Sequence, residues 1–300
     1  MNGPVGVLEL GGTHVTAARV EGDGVVPGSW VRRPLRPDGG RAELLGAILQ
    51  AAVAAHRPEV GAWGVAVPGP FDYEHGICTI RGVHKLDALH EVDLRAELAG
   101  ALRLGDGRRV RFLNDADAFL LGEWLAGAAK GRRRCVGVTL GTGLGSAFLA
   151  DGQICHHGAG VPPDGRLDLV AFRGRPVEET ISRRGLVARY RACRPGSDLD
   201  VEQVAARARA GEAAARQTFA EVMAALGEFL APWLRGFGAS CLVVGGSIAR
   251  AWDLIEPALR PALAGLPHLE VVARAANFDD AALLGAAAHA SGAGGGGADA

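Results

Sequence analysis

The chain is poor in several residue types that usually guide a first reading. It has five cysteines, an odd number, widely spaced and never arranged as CxxC. Cys78, Cys135, Cys155, Cys193 and Cys241 therefore form neither a disulfide framework nor a metal knuckle, and read as reduced thiols. There is no run of 18 apolar residues, which excludes a membrane-spanning helix. A net charge of −1 leaves no global field to attract nucleic acid. The first residues run almost directly into a strand-like segment, with no basic leader and no cleavage site, so a cytoplasmic location is expected. Lysine and asparagine are scarce. Lys85 and Lys130 are the only lysines, and Asn2, Asn114 and Asn277 the only asparagines. Alanine, glycine and arginine dominate, as a GC-rich coding sequence produces. Against that background an arginine run says little, and a retained Asn or Lys says more.

What is present suits a two-domain globular protein. Nearly half of the 300 residues are apolar, enough to fill more than one core. Segment 5–10 (VGVLEL) is a short apolar strand, and a second strand follows after Gly11-Gly12-Thr13. Residues 41–56 carry apolar positions at helical spacing, and 61–67 read as a buried strand. A helix over about 93–102 starts at Asp93 as N-cap. Strand 109–113 leads through Asn114-Asp115 into helix 116–129. Residues 135–154 then repeat the opening pattern of strand, glycine-rich turn and strand, a weak internal duplication. Mainly helical stretches follow at 177–192 and 201–236. A strand enters Gly245-Gly246 and precedes a helix to about 263. A last strand (270–275) and a helix (280–290) close the chain. The expected domains are 1–115 and 116–290, with a low-complexity, disordered tail at 291–300.

Three glycine turns carry the first chemical signal. Glycines let backbone N–H groups approach phosphate oxygens, and threonine adds a hydroxyl. Gly11, Gly12 and Thr13 form one such turn, and Gly141, Thr142 and Gly143 a second. Either alone is equally an ordinary hairpin turn; two equivalent turns suit a nucleotide clamped between two domains. Gly245 and Gly246, at a strand-to-helix junction, suit an adenosine or phosphate contact. None fits GxxxxGK[ST], and the GTGLGS segment lies in a hairpin, so neither a P-loop nor a dinucleotide fold is indicated. Glu9, two residues before Gly11, would meet Mg²⁺ directly or through water. Asn114 and Asp115 stand at the C-terminal end of a strand, where α/β proteins place active groups. Asp115 there would accept a sugar hydroxyl proton, with Asn114 bonding ring hydroxyls. The same Asp115 would also serve simply as the cap of the following helix.

In order, the segments ELGGT, AVPGPFD, FLNDADAFLLGE, TLGTGLGSAFLADG, LVVGGSIA and FDDAALLGAA resemble the motifs of the ROK family of bacterial sugar kinases and sugar-responsive repressors. The resemblance spans about residues 5–290. It implies the α/β, two-domain actin-like ATPase (sugar kinase/Hsp70/actin) fold, a homodimer, and ATP and Mg²⁺ as cofactors. It assigns Gly11, Gly12, Thr13, Gly141, Thr142 and Gly143 to the ATP phosphates and Gly245 and Gly246 to the adenosine side. Asn114 becomes a sugar ligand and Asp115 the base. Through VEETIS, the resemblance aligns Glu178 with a sugar-binding glutamate. Repressor relatives carry an N-terminal DNA-binding domain; here the first phosphate motif begins at residue 9, so no nucleic-acid partner is expected.

Three departures stand out. Glu9 replaces the family's usual aspartate. The family's ExGH segment and cysteine-rich zinc site have no counterpart in 158–178, which holds no cysteine, so no zinc is expected. The ExGH histidine has only Asp168 as a candidate substitute. Residues 81–94 lie where relatives place a substrate loop, so His84 and Lys85 are candidate entrance contacts, or part of a solvated loop. The expected activity is ATP-dependent phosphorylation of a hexose, glucose by default and at its 6-hydroxyl. The alternative is a non-catalytic sugar or nucleotide sensor descended from such a kinase.

Overall fold

β1 (Val5–Leu10) and β2 (His14–Glu21) pair antiparallel, from Val5 opposite Val20 to Leu10 opposite Val15. In a computed structural model, which describes residues 3–82 and 86–292, they open a mixed sheet. β3 (Gly24–Val25) and β4 (Val31–Pro34) each pair with β2. Helix α1 (Arg41–Ala55) then leads to β5 (Trp63–Val67), which lies parallel to β1. All five β5 residues are buried, as in a parallel strand covered on both faces. A small ribbon of β6 (Phe71–Asp72) and β7 (Ile77–Cys78) follows. Helix α2 (Leu94–Leu102) starts where Asp93 accepts the Ala96 N–H at 2.8 Å. β8 (Val110–Asn114) pairs parallel with β5 and passes directly into α3 (Asp115–Ala126).

The second sheet repeats the plan. β9 (Arg134–Leu140), β10 (Leu144–Ala150) and β11 (Gln153–Ile154) form an antiparallel set. A ribbon of β12 (Ala171–Phe172) and β13 (Arg175–Pro176) precedes α4 (Arg183–Cys193), α5 (Val201–Arg209) and α6 (Ala213–Phe237). Helix α4 starts later than the sequence suggested, because the Ser182 side chain caps the Gly185 N–H; residues 177–179 form a separate 3-10 turn. β14 (Cys241–Gly245) then pairs parallel with β9, helix α7 (Trp252–Ala262) follows, and β15 (Val271–Arg274) pairs parallel with β14. The strand orders, β3-β2-β1-β5-β8 and β11-β10-β9-β14-β15, have the same directions throughout.

The chain divides into two compact units, Met1–Ala126 with Asp279–Ala300, and Gly127–Phe278. Each has its own core. In the first, Leu8, Ile48, Trp63 and Val65 are fully buried; in the second, Val136, Phe148, Leu226 and Leu242 are. The division falls after α3 and not at 115/116, because the last helix, α8 (Ala281–Ser291), returns to pack on α3. At their crossing, a Cβ on Gly122 would lie 1.8 Å from the Ala281 oxygen, and one on Gly285 1.9 Å from the Ala118 oxygen. Only glycine permits that approach, and it ties residues 115–126 to the first unit. Ser291 belongs to α8, so the expected tail begins later than 291; residues 293–300 lie outside those described. No helix among the described residues is long and apolar enough to cross a membrane.

Candidate active site

In the first unit the carboxylates sit at strand ends. Glu9 on β1 lies opposite Ala66 on β5 and Thr16 on β2, and Thr16 in turn lies opposite Arg32 on β4. Register places Glu9, Thr16 and Arg32 on one face of the sheet. Glu9 is half-buried. Burial first, then the negative charge of Asp115, push its carboxyl up to about 7; Arg32 pulls it down and Asp279 adds to the rise. Thus Glu9, Asp115 and Asp279 share one electrostatic environment. Asp279 precedes α8; it lay in the quoted FDDAALLGAA segment but had no assigned role.

Asn114 and Asp115 mark the junction of β8 and α3. The Ala116 N–H donates to Asn114 Oδ1 and to Asp115 Oδ1, both at 2.9 Å. The capping role weighed for Asp115 is therefore carried in part by Asn114, while Asp115 is the first residue of the helix. Asn114 Nδ2 donates to the Tyr73 hydroxyl at 3.0 Å, and that hydroxyl donates to the Val67 carbonyl at 3.1 Å. This chain pins the asparagine amide across the ends of β5 and β8. Tyr73 went unnoticed in the sequence, since nothing local links it to position 114.

The Gly11–Thr13 turn is closed by its own backbone. Gly11 N–H donates to His14 O at 2.8 Å, and Thr13 O accepts from Leu35 N at 2.7 Å. The Gly11 amide is thus engaged, and the turn's candidate donors to an anion are the amides of Gly12 and Thr13 and the exposed Thr13 hydroxyl, which also meets His14 Nδ1 at 2.9 Å.

The equivalent turn of the second unit is built differently. Gly141 N–H donates to Gly143 O at 3.0 Å, and Gly141 O accepts from Arg183 N at 2.9 Å. Glu178 lies against it: the Leu144 N–H donates to Glu178 Oε1 at 2.9 Å, and a Cβ on Gly143 would stand 2.3 Å from that oxygen. Glu178 Oε2 faces Arg184 at 3.5 Å. The glutamate expected to hold sugar is thus placed as a brace for this glycine turn. Gly246 follows β14 with φ +81°, and a Cβ there would lie 2.4 Å from Leu140 O. The third glycine motif so packs on the strand end that enters the second. Both border a pocket of about 420 Å³, which Thr142 and Ser247 line together with Val201, Ala205, Ile248 and Ala251.

Asp168 pairs with Arg166, at 3.2 Å from Nε and 2.5 Å from the terminal nitrogen. One hydroxyl holds this segment to β10: Ser146 Oγ donates to Gly165 O at 2.6 Å and accepts from Leu167 N at 2.9 Å. His84 and Lys85 lie outside the described residues.

Among the described residues no group of three or more His, Cys, Asp or Glu side chains is placed to hold a metal ion alone. Magnesium makes a weaker demand, one or two carboxylates completed by water and phosphate oxygens. Glu9 fits it: a hard oxygen donor whose charge is disfavoured by burial and by Asp115, both of which a divalent cation would offset.

The sequence profile of the ROK family matches residues 5–293. The chain belongs to the ROK family. It is 29% identical over 310 aligned positions to the glucokinase of Thermotoga maritima, covering 93% of this chain and 95% of that one. Among solved structures, a ROK hexokinase from Thermus thermophilus superposes with a TM-score of 0.74 at 27% identity, over 95% of this chain and 96% of the other. A ROK family glucokinase from Streptomyces griseus, in complex with glucose and AMPPNP, superposes at 0.75 with 24% identity, over 96% and 99%. The fold is the actin-like ATPase fold of these ROK proteins.

Proposed function

We propose that this ROK protein is an ATP-dependent, glucokinase-like hexose kinase. The observation that carries the reading is the pair Glu9 and Asp115: two carboxylates at the ends of β1 and β8, close enough for one to raise the other. Phosphoryl transfer asks for positioning, charge neutralisation and a base, and little covalent chemistry from the protein.

Asp115 takes the proton of a sugar hydroxyl, the 6-hydroxyl by analogy with glucokinase relatives, as that oxygen attacks the γ-phosphorus. The bond from the γ-phosphorus to its bridging oxygen breaks and ADP leaves. Asn114, held by Tyr73 and the α3 cap, orients the sugar beside the base. Glu9 would hold Mg²⁺, which would supply charge neutralisation on the phosphates when bound. The Gly11–Thr13 and Gly141–Gly143 turns hold phosphate oxygens, and the pocket bordered by Thr142 and Ser247 receives the nucleoside. Glu178 places the second turn, and the resemblance to ROK kinases supports a sugar-binding role for it as well. The resemblance to ROK kinases also supports a cytoplasmic homodimer.

A coupled assay of ADP release over glucose, mannose, fructose, allose and an amino sugar tests the reading. Turnover of at least one hexose with Mg-ATP is expected. Sugar binding without any turnover would replace the kinase by the sensor.

A further inference from the structure

The pocket beside Thr142 and Ser247 has a composition that speaks to the base it admits. One wall is made of small or branched apolar side chains, among them Val201, Ala205 and Ile248. At the same pocket, Arg183 is clamped to Asp200, with Nε to Oδ1 at 2.7 Å and the terminal nitrogen to Oδ2 at 2.9 Å. Asp200 is itself fixed. It caps α5, and its N–H donates to Gln203 Oε1 at 2.9 Å in a reciprocal capping box. Although burial acts the other way, Arg183 and the Val201 amide hold the Asp200 carboxyl below its usual range. The Arg183 guanidinium is therefore a planar group with a preset orientation, suited to stacking on an aromatic ring.

The cations of this pocket are not a free phosphate-binding set. Arg183 is spoken for by Asp200, and Arg209 is bound bidentate by Asp253 at 2.9 and 2.7 Å. Arg250 lies over the Phe278 ring, 5.2 Å from its centroid. Glu202 differs: it is an exposed carboxylate lining the pocket, in the first turn of α5, with no ion pair or hydrogen bond among the described residues. Besides the paired Asp200, the pocket so offers an apolar wall, a flat cation and, in Glu202, an acceptor-only group without a partner among the described residues.

We propose that Arg183 and Glu202 select the purine of the phosphoryl donor, taking adenine and rejecting guanine. The Arg183–Asp200 pair is the stacking plate, and Glu202 accepts from the exocyclic amine. Adenine presents an acceptor (N7) beside a donor (the 6-amino group), whereas guanine presents two acceptors on that edge. A carboxylate facing O6 of guanine would leave two acceptors opposed, and an unmatched polar group in such a site is penalised. The inference rests on reading the second unit as the nucleotide half of a kinase.

Calorimetric binding of ADP and GDP tests it without requiring turnover. The wild-type chain is expected to bind ADP about 10- to 100-fold more tightly than GDP. Glu202→Gln, whose amide can donate to O6, should bring the two within about threefold of each other with an unchanged melting temperature. Arg183→Gln should weaken both nucleotides by about tenfold while keeping their ratio. Equal binding of ADP and GDP by the wild type, or an unchanged ratio in Glu202→Gln, would overturn the proposal. The two readings fail separately. ADP selectivity through Glu202 with no hexose turnover sinks only the kinase, and hexose phosphorylation by ATP and GTP alike sinks only the base selection.

Discussion

The two units share a strand plan and differ in what stands on it. Ladder register makes Glu9 of β1 equivalent to Thr139 of β9, and Val67, after Ala66 of β5, equivalent to Gly246, after Gly245 of β14. By the same register Asn114, the last residue of β8, and the Asp115 that follows correspond to Ala276 and Asn277, beyond the end of β15. So the first unit carries acids where the second carries neutral or missing side chains. The turns diverge too. The first is closed by backbone alone, while the second is braced by Glu178, by the Arg183 amide and by Gly246 packed on Leu140. On the proposed reading, the duplicated scaffold is specialised: one copy carries the carboxylates for the reacting groups, the other a braced turn and a pocket for the nucleotide. The lesson is that a repeated motif does not imply a repeated role, because residues far along the chain decide what surrounds each copy.

The largest effect is expected at Asp115. Asp115→Asn keeps the size of the side chain and, with Asn114 still capping Ala116, keeps the start of α3. Its kcat should fall by about 10²–10⁴ with ADP affinity unchanged. A folded variant with wild-type kcat would remove the chemical role from the first unit and with it the contrast between the copies.

Gly246→Ala attacks the second unit. The position needs φ +81° and has Leu140 O in the way of a Cβ. A loss of about 2–4 kcal/mol in stability, read by denaturant unfolding, is expected, along with weakened nucleotide binding. An unchanged midpoint would show that the brace around the second turn is slack.

Glu178→Ala separates bracing from sugar contact. Losing a charged acceptor for the Leu144 amide should cost roughly 1.5–3 kcal/mol, spread over both substrates. KM should rise for ATP as well as for sugar. A rise for sugar alone would assign Glu178 purely to the sugar.

The smallest effect is in the pH dependence of Glu9. Its carboxyl is raised to about 7 in the folded chain from an ordinary 4.5, so the fold prefers it protonated. That contribution to stability is complete below pH 4.5 and is lost as pH rises through 7. Glu9→Gln should therefore melt later than wild type at pH 8, by on the order of 1 kcal/mol given its partial solvation, and alike at pH 4.5. For wild type, activity at limiting Mg²⁺ should fall below pH 7, since protons compete with the metal. A pH-independent difference between the two chains would separate Glu9 from Asp115.

Local pattern was enough to read β1, β5, β8 and β14, the Asp93 cap, the glycine turns and the Asn114-Asp115 junction, because each depends on apolar periodicity or on residues a few positions apart. The fold class came from the resemblance of the co-linear motifs to the ROK family. What the chain could not reveal locally is every contact with a distant partner. Asn114 is oriented by Tyr73, 41 positions earlier, and Leu144 meets Glu178 34 positions later. Arg183 finds Asp200, 17 positions later, past the whole of α4. Helix α8 joins the first unit from the far end of the chain through two glycine contacts. Sequence determined which segments are strands, helices and turns, since those answer to short-range sterics and burial pattern. Only the tertiary structure decided which carboxylate is crowded by another, which turn is braced, and which arginine is already paired, since those depend on distances that sequence separation does not measure.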